Sequence, residues 1–354
     1  MADDAAHYAC AVPPAPVAPI CLIVNPSAGG GKARRLAPQA EQSLRELGLE
    51  VRRVDTRDLT HARELAVAAA RDGETVVVLS GDGAVGAIAD ALRVVPGAVL
   101  GVLPGGRGND LARSLEISQE LSAACETIAH GVARAMDVGE VTPADSQERG
   151  RAFVGIASVG FDSDANRIAN QAPSWLGNLV YAYGALRALA AWRPARFELE
   201  LDPPDGERKA FVAYTVGACN SKSYGGGMRA APGAMLDDGL LDVIVLENVS
   251  KLAFLTKILP RVFKGEHVHE PRVHVLRAKE LVVSADRPFT MYADGDPIGE
   301  LPLRVRALPG AINVLVPAQG GADSAFASAA PAPATAAAQA RGDRAAGARH
   351  VEDR

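Results

Sequence analysis

The stretch Gly101-Val-Leu-Pro-Gly-Gly-Arg-Gly-Asn-Asp-Leu-Ala-Arg113 joins an apolar run, Ala98–Leu103, to a glycine-rich loop and then to a helical pattern. Ser80-Gly-Asp-Gly83 follows the apolar run Thr75–Leu79 in the same way. A loop that leaves a buried parallel strand and enters a helix N-terminus offers free backbone N–H groups and a helix dipole that favours anions. Glycine lets the backbone come close to phosphate groups. Two such loops therefore predict a nucleotide site at one edge of a parallel sheet.

Strand and helix patterns alternate through the first third of the chain. Ile20–Val24 and Val51–Thr56 are predicted as further short strands, and apolar residues at helical spacing cover Lys32–Leu47 and His61–Arg71. This βαβαβ order predicts an α/β domain with a doubly wound parallel sheet, which binds ligands at the carboxyl ends of its strands.

Beyond residue 137 the pattern changes to short segments in which apolar and polar residues alternate, as in Phe197–Leu201 and Leu303–Ala307. This half is predicted as an antiparallel β domain with helical insertions at 175–192 and 250–264. Its last strand, Ala311–Val316, could belong to either domain. The expected organisation is a flexible lead over 1–18, the α/β domain over 19–137, the β domain over 138–317 and a disordered Ala/Pro-rich tail over 318–354.

Composition narrows the class of protein. The net charge is −5 and no block of Lys or Arg is present, which argues against nucleic acid as the main partner. The four cysteines lack the spacing of a zinc site or a disulfide framework, which fits the reducing cytoplasm. No apolar run reaches membrane-spanning length, and the acidic N-terminus does not resemble a secretory signal.

Six motifs, in this order and at these separations, resemble the diacylglycerol kinase catalytic-domain family, whose members are soluble bacterial lipid kinases similar to sphingosine and ceramide kinases. The motifs are Asn25–Lys32, Ser80–Gly83, Leu103–Asp110, Gly160–Asp162, Asp237–Asp242 and Asp294–Asp296. The resemblance covers roughly residues 20–317 and includes Asn220–Gly227, which looks like the actinobacterial members. It implies an NAD-kinase-like α/β domain, a C-terminal β-sandwich domain and ATP in the cleft between them.

The resemblance also implies which residues contact the nucleotide. They are Asn25, Pro26, Ser27, Ala28, Gly29, Thr56, Ser80, Gly81, Asp82, Gly83, Gly105, Gly106, Arg107 and Asn109. From the residues alone, the first loop is equally a strand-to-helix turn. Asp82 is equally a helix N-cap, and Asn109 and Asp110 are good N-cap residues for the segment that follows them.

Four positions depart from the pattern of the family. Ser80 stands where Gly is usual, Ala84 where Thr is usual, Ala87 where Glu is usual and Arg107 where Thr is common. Ala84 lacks the hydroxyl of the usual Thr and Ala87 lacks the carboxylate of the usual Glu, so two polar contacts are lost. Arg107 cannot copy a hydroxyl, but it can pair bidentately with a phosphate; the alternative is a solvated surface arginine.

Asp294 matches the proposed general base of the family. A carboxylate within hydrogen-bond reach can take the proton of an alcohol as the P–O bond forms. Without the resemblance, Asp294-Gly295 after an alternating run indicates only a tight hairpin turn.

The resemblance further implies Mg²⁺, both with the nucleotide and at a structural site. The structural ion would be held by the carboxylate of Asp238 and the main-chain carbonyls of Met235 and Leu240. From the residues alone, this segment is equally a structural turn before a strand.

We therefore expect a cytoplasmic, peripherally membrane-associated kinase that transfers the γ-phosphoryl group of ATP to diacylglycerol. The mixed apolar and basic segment Lys251–Lys264, with Trp175 and Trp192, could contact a lipid surface, although such a helix more often faces a core. Relatives are commonly dimers, so a homodimer is possible. Ser80 gives slight support to a sphingoid base or another lipid alcohol as acceptor, and the departures raise a non-catalytic relative as an alternative. An oxidoreductase is disfavoured because no Gly-x-Gly-x-x-Gly follows the first strand.

Overall fold

The computed structural model describes residues 18–161, 163, 168, 187–189, 192–321 and 323–326. Several predictions of the sequence lie outside the described residues. They are the lead over 1–17, Asp162, Trp175 with most of the 175–192 insertion, and the tail from residue 327.

The N-terminal half contains a parallel sheet in the order β2-β1-β3-β4. Its strands are β1 (Ile20–Val24), β2 (Val51–Asp55), β3 (Thr75–Ser80) and β4 (Val99–Pro104). Its helices are α1 (Ala28–Glu46), α2 (Leu59–Arg71), α3 (Asp82–Leu92), α4 (Asp110–Ser114) and α5 (Leu121–His130). The strands β1 and β3 are wholly buried, which is why they are continuous apolar runs. The predicted α/β fold class is confirmed.

The C-terminal half is an array of mainly antiparallel strands. They are β5 (Val132–Pro143), β6 (Arg151–Phe153), β7 (Ile156–Gly160), β8 (Ala195–Leu201), β9 (Arg208–Cys219), β10 (Leu241–Glu247), β11 (Val273–Ala278), β12 (Glu280–Ala285), β13 (Thr290–Ala293), β14 (Asp296–Glu300) and β15 (Leu303–Val316). Alternate residues of β8 are buried, as its sequence alternation predicts. A second core of Phe, Val and Leu side chains lies under these strands, so the predicted β-rich second domain is also confirmed.

Two long strands join the halves. β15 pairs antiparallel with β5 along nearly its whole length, with β12 at its start, and parallel with β4 at Asn313 and Val314. The two segments that the sequence predicts separately, 303–307 and 311–316, are therefore one strand, whose end extends the N-terminal sheet. A register shift between Leu308 and Ile312 interrupts the ladder, and the Asp137 carboxylate accepts a hydrogen bond from Gly310 N at 2.7 Å there. β5 itself runs across residue 137, where the sequence places the boundary between the two domains.

The predicted helix over 250–264 is present but interrupted. It consists of α6 (Lys251–Ala253), a π-helical turn (Phe254–Ile258) and α7 (Leu259–Val262), and a 3₁₀ turn (Glu266–His269) follows. No helix in the described ranges is long and apolar enough to cross a membrane.

Trp192 and the start of the predicted tail differ from expectation. Trp192 is only 5% exposed and packs among Phe161, Tyr214 and Phe289, so its ring contributes to the core and not to a lipid-facing surface. Phe326 is also buried, and Ala325 O accepts a hydrogen bond from Leu236 N at 2.6 Å. Residues 323–326, which the sequence places in the disordered tail, are held in the structure by these buried side chains and by hydrogen bonds from Lys222 Nζ to Asp323 O and Ser324 O.

Candidate functional site

A cleft of about 520 Å³ lies where the glycine loops of the N-terminal half face strands of the C-terminal half. The predicted nucleotide residues that line it are Asn25, Ser27, Ala28, Gly29, Ser80, Gly81, Asp82, Gly83, Gly106 and Arg107. Asp294 lines the same cleft from the other side, at the turn between β13 and β14. The tertiary structure thus brings together the two groups of residues that the resemblance implied, over a sequence separation of more than 180 residues.

The three glycine loops are the first loop (Asn25–Lys32), the second loop (Ser80–Gly83) and the third loop (Leu103–Asp110). The third loop contacts each of the other two through its backbone. A Cβ added to Gly106 would stand 2.4 Å from Gly81 Cα, and a Cβ on Gly29 would stand 2.6 Å from Gly105 O. Gly29 also has a φ of +60°, a conformation that L side chains rarely adopt. The loops therefore require glycine for their own packing, and this packing leaves a cradle of backbone along one wall of the cleft.

Asp82 does not cap its own helix. The N-cap of α3 is Gly81, and the Asp82 carboxylate instead accepts a hydrogen bond at 3.2 Å from Leu111 N, in the first turn of α4. Asp82 thereby holds the second loop against the third while lining the cleft. As the N-cap alternative predicts, the Asp82 carboxylate accepts a hydrogen bond from an amide at a helix N-terminus, but this helix is α4 and not α3.

Asp110 lines the cleft, although its position before a helical segment predicts a capping residue. Its carboxylate accepts hydrogen bonds from Gly226 N at 2.9 Å and Gly227 N at 2.8 Å, and so ties the third loop to the C-terminal half. Burial, and then the neighbouring Asp82 carboxylate, raise the pKa of Asp110. Because the two carboxylates repel each other, the site favours a cation between or beside them.

Asp294 is held by the backbone of the segment that enters β7. Its Oδ2 accepts a hydrogen bond from Val154 N at 2.8 Å and its Oδ1 accepts one from Gly155 N at 2.9 Å. A Cβ on Gly86 of α3 would stand 2.8 Å from Oδ2, so the carboxylate also contacts the N-terminal half. Burial raises the pKa of Asp294 to about 6; the backbone amides oppose this shift, and the Asp82 charge adds to it.

The charges that line the cleft are unbalanced. Four carboxylates line it, those of Asp82, Asp110, Asp294 and Asp296, whereas Arg107 is the one basic side chain among the described lining residues. Asp296 is paired with Arg151 at 3.0 Å. A polyphosphate would bring more negative charge, which a cation bound beside it would offset. The buried Ser80 Oγ, which has no hydrogen-bond partner among the described residues, and the glycine cradle both fit such a ligand.

Four of the predicted nucleotide residues do not line the cleft: Pro26, Thr56, Gly105 and Asn109. Gly105 lies behind the cradle, where its Cβ would stand 3.0 Å from Ser80 N. Asn109 is buried, and its Oδ1 accepts a hydrogen bond from Gly106 N at 2.8 Å. Asn109 has no side-chain cap bond, so its observed contribution is to fix the shape of the loop.

The predicted structural metal site lies outside the cleft, at Met235, Asp238 and Leu240. The Asp238 carboxylate is engaged by the guanidinium of Arg277 and accepts a hydrogen bond from Leu240 N at 3.0 Å. No group of three His, Cys, Asp or Glu side chains able to hold a metal occurs among the described residues. In this arrangement Asp238 does not fit a bound cation, because Arg277 already supplies the positive charge.

The cleft residues that no sequence motif predicts come mainly from the C-terminal half. Val154, Gly155 and Ile156 line the cleft beside Asp294, and Tyr224 also lines it. The resemblance over Asn220–Gly227 implies no role for its residues, although this segment contains Tyr224 and the amides that bind Asp110. The signal available in the sequence is its run of three glycines, Gly225–Gly227, all of which have positive φ in the structure.

Comparisons with known proteins identify the family of each half of the chain. Residues 19–141 match the model of the diacylglycerol kinase catalytic domain, and residues 155–316 match the YegS C-terminal NAD kinase beta sandwich-like domain. A protein of Mycobacterium tuberculosis named diacylglycerol kinase is 34% identical over 306 residues, covering 85% of this chain and 96% of that protein. One of Bacillus subtilis with the same name is 28% identical, covering 84% and 95%.

Solved structures agree on the fold. A crystal structure of a diacylglycerol kinase from Bacillus anthracis superposes with a TM-score of 0.66 at 19% identity, covering 85% of this chain and 98% of that one. The two family models match consecutive parts of this chain, and the relative from Mycobacterium tuberculosis is more than 30% identical over most of the chain. This chain is therefore a kinase that belongs to the diacylglycerol kinase catalytic-domain family.

Proposed function

We propose that this kinase transfers the γ-phosphoryl group of ATP to the free hydroxyl of diacylglycerol, which gives phosphatidic acid. The observation that carries the proposal is that the Asp294 carboxylate and the glycine cradle line the same cleft. The name of the relatives supports the choice of acceptor.

In this proposal the glycine loops hold the phosphates through backbone N–H groups, and Arg107 supplies positive charge at the cleft wall. Asp294 accepts the proton of the acceptor hydroxyl as the new P–O bond forms, while the bond from the γ-phosphorus to the β-γ bridging oxygen breaks. A pKa of about 6 leaves Asp294 mostly ionised at neutral pH and close to the value that favours proton transfer there. Catalysis rests mainly on positioning and charge stabilisation.

A divalent cation fits beside the nucleotide. Mg²⁺ is typically bound through one or two carboxylates together with substrate phosphates, and Asp82 and Asp110 line the cleft within the same loop cluster. Bound there, Mg²⁺ would neutralise charge on the phosphates. The residues Asp82 and Asp110 would hold it, and their mutual repulsion is the reason that the site favours a cation.

The acceptor must reach the cleft from a lipid surface. The helix over residues 251–262 exposes Leu252, which is 71% exposed, and the following Phe263, which is 53% exposed. Lys257 and Lys264 lie in the same segment. Apolar side chains flanked by basic ones bind the interface of an anionic membrane, so we assign membrane contact to this segment.

The test is transfer of radiolabelled phosphate from ATP to a panel of lipids in mixed micelles. Diacylglycerol should be the preferred acceptor. Asp294→Asn, which is isosteric and tolerates the φ of +50° at this position, should lower kcat by about 10²–10⁴-fold. ATP binding without product on any lipid would contradict the proposal, and full activity of Asp294→Asn would remove that residue from the mechanism.

The pH profile tests the same residue in the wild-type protein. Only ionised Asp294 can accept the proton, and its pKa is raised to about 6, so kcat/KM for the acceptor should be level above about pH 6. It should fall about tenfold per pH unit below that value. A profile that stays level down to pH 4.5 would show that Asp294 is not the base.

A further inference from the structure

A second cavity adjoins the cleft. It has a volume of about 140 Å³, and apolar side chains form most of its wall. Its walls include Phe161, directly after β7, Ile244 from β10, and Phe254 and Ile258 from the π-helical turn. It shares Ile156, Tyr224 and Gly225 with the cleft, so the two spaces meet at a common wall.

The junction lies next to the proposed base. Asp294 N donates a hydrogen bond to Ile156 O at 3.2 Å, and the side chain of Ile156 lines the apolar cavity. When the hydroxyl of a molecule lies at Asp294, a single residue, Ile156, therefore separates it from the apolar cavity.

Gly217 lies in the wall of the cavity and has no side chain to occupy its space. It lies inside β9, paired with Ser158 of β7 on one side and Ile244 of β10 on the other, and it lines the cavity. A Cβ at this position would meet Ile156 Cγ2 at 3.7 Å and nothing closer, and its φ is not in the left-handed region. Neither packing nor backbone conformation requires glycine here. A glycine inside a strand weakens the strand and often marks the close approach of a ligand.

The cavity is suited to hydrocarbon. A cavity of about 150 Å³ lined by Leu, Ile and Phe stays dry and takes up benzene, a ligand of about six carbons. His267 also lines the cavity; burial lowers its pKa, while the hydrogen bond with Ala230 O opposes the shift, so its ring is neutral at physiological pH. No charged side chain lines the wall among the described residues.

We infer that this cavity binds the first carbons of one acyl chain of the acceptor lipid, and that Gly217 sets how many of them fit. The inference rests on the proposed function, because it places the acceptor hydroxyl at Asp294. The rest of that chain leaves beneath the 251–262 helix, past Leu259 and Val262, towards the exposed Phe263. The second chain stays outside the cavity.

The experiment varies the length of one acyl chain of the acceptor and keeps the other constant. Monoacetyl glycerides with a second acyl chain of two to ten carbons are offered as monomers with saturating ATP, and kcat/KM is measured for each chain length. In the wild-type protein kcat/KM should rise about fourfold per methylene until the cavity is full, and then level off near six carbons.

Gly217→Leu should move that plateau to a chain shorter by about four carbons, the size of the added side chain, with the KM for ATP unchanged. Gly217→Ala, which adds one carbon without a close contact, should move it by about one and serves if the leucine variant folds poorly. Ala210→Leu, at an exposed position of the same strand, is the matched control and should keep the wild-type profile.

Equilibrium dialysis of a radiolabelled eight-carbon monoacyl monoacetyl glyceride, without ATP, separates the two proposals. Binding that is lost in Gly217→Leu while no lipid is phosphorylated by the wild type would overturn the proposed function and support the cavity. Phosphorylation with the same chain-length profile in wild type and Gly217→Leu would overturn the cavity and leave the function standing.

Discussion

At the scale of single residues, the binding properties of the cleft depend on which of its charged side chains already have a partner. Asp296 is paired with Arg151, and Asp110 is held by two backbone amides. Arg107 lines the cleft as its only basic side chain among the described residues, at a position where the family commonly has threonine. An arginine there offers two parallel N–H donors to a phosphate, which threonine cannot do.

Arg107→Ala should therefore lower kcat/KM for ATP by about 10²-fold or more, since a charge-assisted phosphate contact is lost from the cleft. Arg107→Lys should recover part of the loss, because it keeps the charge without the bidentate geometry. Steady-state kinetics with varied ATP measure both. Arg35→Ala, on the exposed face of α1, is the control. Unchanged kinetics of Arg107→Ala would assign this residue to the solvated surface.

At the scale of elements, the binding edge is built by three strand-to-helix loops whose backbones touch. This contact requires glycine at positions 81 and 106 whether or not a phosphate is bound. Asp82 adds a side-chain link from α3 to the first turn of α4. The loops therefore form one unit, and a change in one of them displaces the others.

Gly106→Ala tests that unit. Its Cβ would stand 2.4 Å from Gly81 Cα, a backbone atom that cannot rotate away, so we expect a loss of about 1–3 kcal/mol in the free energy of unfolding. Gly83→Ala is the matched comparison, because its Cβ meets nothing within 4 Å. Thermal or denaturant unfolding should separate the two variants. Equal stability would mean that the loops can move apart without cost.

At the scale of the whole molecule, an ion-pair network fixes the helix that carries Asp82 to the strands that cross between the halves. Glu140 of β5 is 1% exposed and accepts hydrogen bonds from Arg93, directly after α3, at 2.5 Å and from Arg306 of β15 at 2.8 Å. Burial raises the pKa of Glu140, but the hydrogen bonds of Arg93 and Arg306 outweigh it and leave the pKa below its usual value.

Glu140→Gln should cost about 3–5 kcal/mol of unfolding free energy at neutral pH, because Arg93 keeps its buried charge without this partner. A carboxyl whose pKa is lowered by folding stabilises the protein above its unfolded value of 4.5 and loses this contribution as the pH falls through the folded value. The stability gap between wild type and variant should thus be constant near pH 7 and shrink below about pH 4.5. Glu300→Gln, at an exposed site, is the control. A gap independent of pH would exclude this linkage.

The sequence by itself determined the parallel sheet, the position of most predicted strands and the family. Five-residue apolar runs such as Ile20–Val24, each followed by small residues and then a helical pattern, depend on local periodicity, and periodicity is visible without coordinates. The glycine motifs are local in the same sense, since each one serves a turn of its own.

Only the tertiary structure decided which of these pieces meet. Local patterns carry no record of partners more than a hundred residues away, so Asp110 was predicted as a cap although its carboxylate binds Gly226 and Gly227. For the same reason, β15 was predicted as two strands, because the Asp137 side chain that holds its irregular register lies in a distant strand. The apolar cavity under Gly217 has no signature in the sequence at all, since a space is defined by the packing of every element around it.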